Sequence, residues 1–167
     1  MENSEREIYI RENLVEIFES VKDVVHRRER MSRAGLMLGL QELGSSPQGF
    51  LGAYYPVSSN IIVMNKSPLK RILDTDKNLF SPYSFHVLLH EYLHSLGFID
   101  EQMTREKTYE ICSKEFGSEH LATEFSRNME KFLPNLIYPQ YDWTPEKEMP
   151  IELVKGFDRS STRQYIA

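Results

Sequence analysis

Three histidines fall four residues apart in the stretch FHVLLHEYLHSLGFIDE, which runs from Phe85 to Glu101. Residues four apart lie one above the other on a helix, so the imidazoles of His90 and His94 can reach one metal ion. Glu91 is rotated from His90 by about 100° on such a helix, which puts its carboxylate beside the metal instead of on it. From there it can take a proton from an activated water and hand it to a leaving amine. The metal suited to this H-E-x-x-H pattern is zinc, which acidifies a water and polarises a carbonyl. The pattern also arises by chance on ordinary buried helices. Here Val87, Leu88, Leu89, Leu93 and Leu96 give the segment an apolar surface for docking, and Gly97 supplies a stop. His86, one turn earlier on nearly the same face, reads as a rim or supporting residue, not a ligand.

Those residues need a scaffold. The spacing of Ile10, Leu14, Ile17, Val21 and Val24, widened by Phe18 and Val25, predicts an amphipathic helix over Glu5 to Arg30. The basic run HRRERMSR (His26 to Arg33) lies near its C-terminus, where positive charge offsets the helix dipole, and is read that way in preference to nucleic-acid binding. Aromatic and β-branched residues punctuated by Gly and Pro in AGLMLGLQEL, FLGAYYPV and NIIVMNK predict two or three short strands in a small antiparallel sheet. SPLKRILDTDKN reads as a short helix and a loop. The motif helix is expected to start with Ser81 as N-cap and Pro82 at the first helical position, and to end at Gly97. A second helix is expected from Asp100 or Thr104 to Phe116, stopped by Gly117, and a third from Ser118 to about Phe132. The fold class is therefore α+β: a domain over 1–133, then an extended, proline-rich tail over 134–167 that packs on it.

Composition bounds the setting. The chain has 167 residues, 40% of them apolar, which suits one domain with a core. A net charge of −5 gives no electrostatic case for a nucleic-acid partner. A single cysteine, Cys112, forbids an internal disulfide and is expected to be a buried core residue. The charged N-terminus is not a signal peptide, and no apolar run approaches the ~20 residues of a membrane helix. The expectation is a soluble, cytoplasmic protein with a peptide or unfolded protein as its partner.

H-E-x-x-H followed by a glycine turn and a second helix resembles the zincin metallopeptidases. The order long helix, small sheet, motif helix, second helix is similar to their minimal soluble members, the minigluzincins, over roughly Arg30 to Glu124, most closely in NIIVMN and HEYLHSLGFIDE. The resemblance implies a zinc-dependent endopeptidase with Glu91 as base and a glutamate on the following helix as third ligand. A second zincin branch, the metzincins, extends the motif to a residue matched here by Asp100, after Gly97, although no methionine turn accompanies it.

Geometry ranks the candidates for that third ligand. A zinc between His90 and His94 would lie about 7–8 Å from the Gly97 end, so an antiparallel second helix should supply a ligand about five residues after it begins. A start at Thr104 points to Glu110, and a start at Asp100 points to Glu106. The backward lean of helical side chains favours Glu110. Asp100 is the next candidate, its competing role being a helix N-cap. His120 suits zinc chemically but lies far past the turn. Tyr83, Tyr109 and Tyr138 are candidates to support an oxyanion, and no spacing selects among them. An open sheet edge in GAYY or NIIVM could hold an extended substrate. The apolar residues of the tail are expected to cover either the cleft, leaving the enzyme latent, or the back of the helices. The alternative to an active peptidase is a weakly catalytic zinc-binding interaction protein, against which the intact Glu91 argues.

Overall fold

A computed structural model describes residues 1–136 and 147–157. The long first helix, α1 (Asn3–Glu29), buries Ile10, Leu14, Phe18, Val21, Val24 and Val25 along one stripe, as the spacing requires. It ends at Arg30, whose φ of 56° turns the chain out of the helix. Strands β1 (Met37–Gln41), β2 (Ala53–Tyr54) and β3 (Ile61–Asn65) follow, and then α2 (Lys66–Thr75). The motif helix α3 (Phe80–Ser95) leads through a short connection to α4 (Glu101–Phe116) and α5 (Leu121–Arg127). A further strand, β4 (Glu152–Val154), returns to the sheet. The fold is α+β, with four strands among the described residues in the order β2-β3-β1-β4.

The sheet is mixed, with two of its three pairings antiparallel and one parallel. Its central pair, β1 and β3, is parallel, in register from Met37 beside Ile61 to Gln41 beside Asn65. The outer pairs, β2 with β3 and β4 with β1, are antiparallel. The cause is topological. The chain leaves β1, forms the β2–β3 turn, and inserts β3 between β2 and β1. Both central strands are apolar and buried, as parallel strands generally are.

The helix boundaries also moved. Phe80, not Pro82, begins α3, so Pro82 sits inside the first turn, where its missing N–H is tolerated. The third helix is shorter than expected. It is capped by His120, whose ring accepts from Ala122 N, and after Arg127 the chain continues as a 3-10 segment, Met129–Asn135.

The core forms where α1, the sheet and α3 meet. Leu88, Leu89, Tyr92 and Leu93 on α3 are all fully buried. Tyr92 meets Phe18 edge-to-face at 5.4 Å and its hydroxyl accepts from Arg33 N. Arg33 also reaches the Tyr55 hydroxyl and the Ser59 and Ser95 carbonyls, tying the end of α3 to the β2–β3 turn. Arg27 and Arg28 both bond Glu115 on α4. These three arginines of the basic run therefore have intramolecular partners.

The described part of the tail is structural. Val154 and Phe157 are buried, Phe157 stacks on Phe18 at 4.1 Å, and Glu152 pairs with Arg11 and Lys66. Gly39, in the middle of β1, leaves room for the residue before this strand: a Cβ there would run into the Ile151 side chain. This segment lies on the opposite edge of the sheet from β2. The expected contribution of Ile137, Tyr138, Tyr141 and Trp143 falls outside the described residues. No helix among the described residues is long and apolar enough to cross a membrane.

Candidate metal centre

The site is built on α3 and on the turn that follows it. Gly97, at φ 110°, takes a conformation that L side chains rarely adopt, and ends the helix. Its N–H bonds the His94 carbonyl, and Phe98 N bonds the Leu93 carbonyl. The Phe98 carbonyl is thereby carried back over the helix end, where it lies 2.5 Å from His94 Nδ1. A carbonyl can only accept, so Nδ1 carries a hydrogen, and in the neutral ring the lone pair is then on Nε2. This is the way a backbone acceptor fixes the tautomer of a metal-ligating imidazole. The buried Thr104 hydroxyl, 3.0 Å from the Phe98 carbonyl and 2.7 Å from that of Asp100, holds the same turn.

His90 Nε2 and His94 Nε2 stand 3.1 Å apart, with their rings at 81°. Into this pair comes Glu101, the first residue of α4. Its Oε1 is 2.8 Å from His90 Nε2 and its Oε2 is 3.0 Å from His94 Nε2. The donor atoms of His90, His94 and Glu101 all lie within 4.8 Å of one another. Two imidazole nitrogens and one carboxylate, partly open to solvent, form a cluster that could hold a metal ion.

The structure does not bring Glu110 to the histidines. It pairs with Lys114 at 2.7 Å and Lys107 at 3.2 Å, further along α4. The sequence arithmetic placed the start of the second helix level with Gly97. In fact the connection doubles back, and α4 starts beside His94, with Thr104 Oγ 3.5 Å from His94 Nδ1. A residue at the helix start therefore reaches the cluster, and later residues have passed it. Glu106 is exposed and accepts from Gln102. Asp100 is the N-cap of α4, accepting from Met103 N at 2.8 Å. His120 is occupied in capping α5 and stacks on Phe116. The signal that could have pointed to Glu101 was that cap. If Asp100 ends the turn, Glu101 opens the helix. An acidic residue in a first turn is ordinarily explained by the helix dipole, which hides it.

Glu91 is buried beside the cluster. Burial raises its pKa, the nearby His94 pulls it back and the Glu101 carboxylate raises it again, leaving it at about 7. A carboxyl held near neutrality is suited to taking up and releasing a proton. Burial likewise lowers the pKa of His90, against the pull of Glu101.

The cluster lies in a groove with a hollow on each side. One, of about 530 Å³, runs between the Phe50–Ala53 segment, α3 and α5, and includes His90. The other, of about 380 Å³, is lined by Tyr54, Tyr55, Val57 and Ile99, and includes His94. Leu51, Ala53, Glu91 and Glu101 border both. The edge strand β2 runs along the groove, and no strand pairs with its outer side among the described residues. Tyr83 is buried and lines the first hollow. Tyr109 lies beneath Arg127, and Tyr138 is outside the described residues. Cys112 is buried in the core, as expected, and burial pushes its thiol up to about 11.

No protein-family model, curated protein or solved structure matches the chain.

Proposed function

We propose that this protein is a zinc-dependent metalloendopeptidase of the zincin type, with His90, His94 and Glu101 as ligands. The observation that carries this reading is the Glu101 carboxylate, brought by the α3–α4 turn onto both motif histidines while Glu91 stands beside them, buried and without a place among the ligands. When bound there, zinc would polarise a peptide carbonyl and acidify a water.

The chain's own residues divide the remaining work. His94, with its tautomer fixed by Phe98, and His90 direct their Nε2 atoms to the same point as Glu101. Glu91 takes a proton from the attacking water and returns it to the leaving amine, a role that its elevated pKa favours. The free side of β2 offers backbone groups to an extended chain by strand addition. Hollows on both sides of the cluster suit a substrate that continues in both directions from the scissile bond, hence an endopeptidase. Leu51, Val57 and Ile99, each more than half exposed around the groove, suit apolar side chains of an unfolded protein or peptide. The single, buried cysteine is in keeping with a reducing compartment such as the cytoplasm.

The test is cleavage of an unfolded protein by the zinc-loaded chain, run beside a Glu91→Gln variant. Cleavage by the parent and its loss in the variant are expected. Metal binding without cleavage would favour the interaction-protein alternative instead.

A further inference from the structure

We propose that His86 is a specificity-determining residue of the groove, accepting a hydrogen bond from a substrate side chain that has an apolar body and an N–H or O–H tip. This rests on the peptidase reading and names the class of side chain that the larger hollow takes.

The hydrogen bonds around His86 define its tautomer. His86 Nδ1 lies 2.8 Å from Ser126 Oγ, and Ser126 Oγ lies 2.8 Å from the Ala122 carbonyl oxygen. The carbonyl cannot donate, so the hydrogen in that second contact is the serine's own. Ser126 has no other to give. Nδ1 of His86 must therefore be the donor to Ser126, which leaves Nε2 as an acceptor. Nε2 has no hydrogen-bond partner among the described residues. The ring is half-buried in the wall of the hollow that holds His90 and Glu91. Burial disfavours the charged ring, in keeping with Nε2 as an acceptor.

The surroundings complete the selection. Phe50, Val87, Phe125 and Met129 line the same hollow, and they favour an aromatic or long apolar body. A half-buried acceptor that an occupant shields from water costs free energy unless the occupant supplies a donor. Tyrosine should therefore be preferred to phenylalanine, from which it differs by the one hydroxyl.

The experiment uses the zinc-loaded Glu91→Gln chain and peptide pairs identical except for Tyr or Phe, scanned through each position, with binding measured by calorimetry. At one position the tyrosine peptide should bind about tenfold tighter, the size of one net hydrogen bond. In a His86→Phe background that ratio should fall toward one. Ser126→Ala leaves α3 intact but frees the tautomer, and it should shrink the ratio as well. Equal binding of Tyr and Phe at every position, absence of binding by either peptide, or a preference undiminished in both variants would overturn the proposal. Cleavage by the chain with Glu91 intact is scored separately. A tyrosine preference that depends on His86, without any turnover, would sink the peptidase reading and leave the side-chain preference standing.

Discussion

Glu101 and His94 stand seven positions apart, yet Oε2 of the one lies 3.0 Å from Nε2 of the other. Both ends of that contact are fixed by the turn between them. Gly97 reverses the chain, the Phe98 carbonyl orients the imidazole, and Asp100 caps α4 so that Glu101 opens it. Which carboxylate meets the two histidines is thus set by where a helix begins.

Zinc content should report that arrangement. The purified protein is expected to hold about one zinc per chain, and neither His90→Ala nor His94→Ala should retain it. Glu101→Ala should weaken binding by more than about 100-fold, beyond the usual loss of an outer supporting residue. Asp100→Ala and Glu110→Ala should each cost less. A larger loss in Glu110→Ala, read by competition with a chelator, would reverse the assignment.

Catalysis should separate from metal binding at Glu91. Glu91→Gln is expected to keep its zinc and lose roughly 10²–10⁴ in turnover, the usual cost of a missing general base. Undiminished cleavage in the variant would trace the activity to some other site.

Phe157 should matter for stability, not for latency. It is buried and stacked on Phe18 at 4.1 Å, three residues after β4, the edge of the sheet opposite β2. Phe157→Ala is expected to cost about 3–5 kcal/mol of stability, as large-to-small core changes do. Removing residues 147 onward should lower the melting temperature further, since Val154 and the ion pairs of Glu152 go with it. A truncated chain that melts unchanged and cleaves faster would instead support an inhibitory tail.

Acid should act through Glu7. Burial on its own would raise the pKa of this carboxyl, but bonds from Lys66 and Arg11, with the charge of Lys70 nearby, outweigh it and bring it to about 2 from 4.5. A depressed carboxylate pKa adds stability that is complete above pH 4.5 and disappears as pH falls through 2. Urea midpoints should therefore drop across that window, and Glu7→Gln should flatten the drop. An equally steep pH dependence in the variant would place the acid sensitivity elsewhere.

Much of this protein follows from local pattern. The stripe from Ile10 to Val25 marks α1, because a helix repeats every 3.6 residues and only one face is buried. His90, Glu91 and His94 are legible for the same reason: their relation lies within one helix. Gly97 and Gly117 mark helix ends, because both take a positive φ. The tertiary structure decided the rest. Nothing within β1 or β3 says that they run parallel, since strand direction depends on where β3 is inserted and not on either strand's residues. Which acidic residue meets the histidines depended on the path of residues 96–100. A connection that runs level with the helix end favours Glu110, and one that doubles back favours Glu101, and the same residues are compatible with both until the turn packs on His94. Nor did the spacing of His86 say what its ring does. Its acceptor is set by Ser126, on a helix that reaches α3 only when the chain folds.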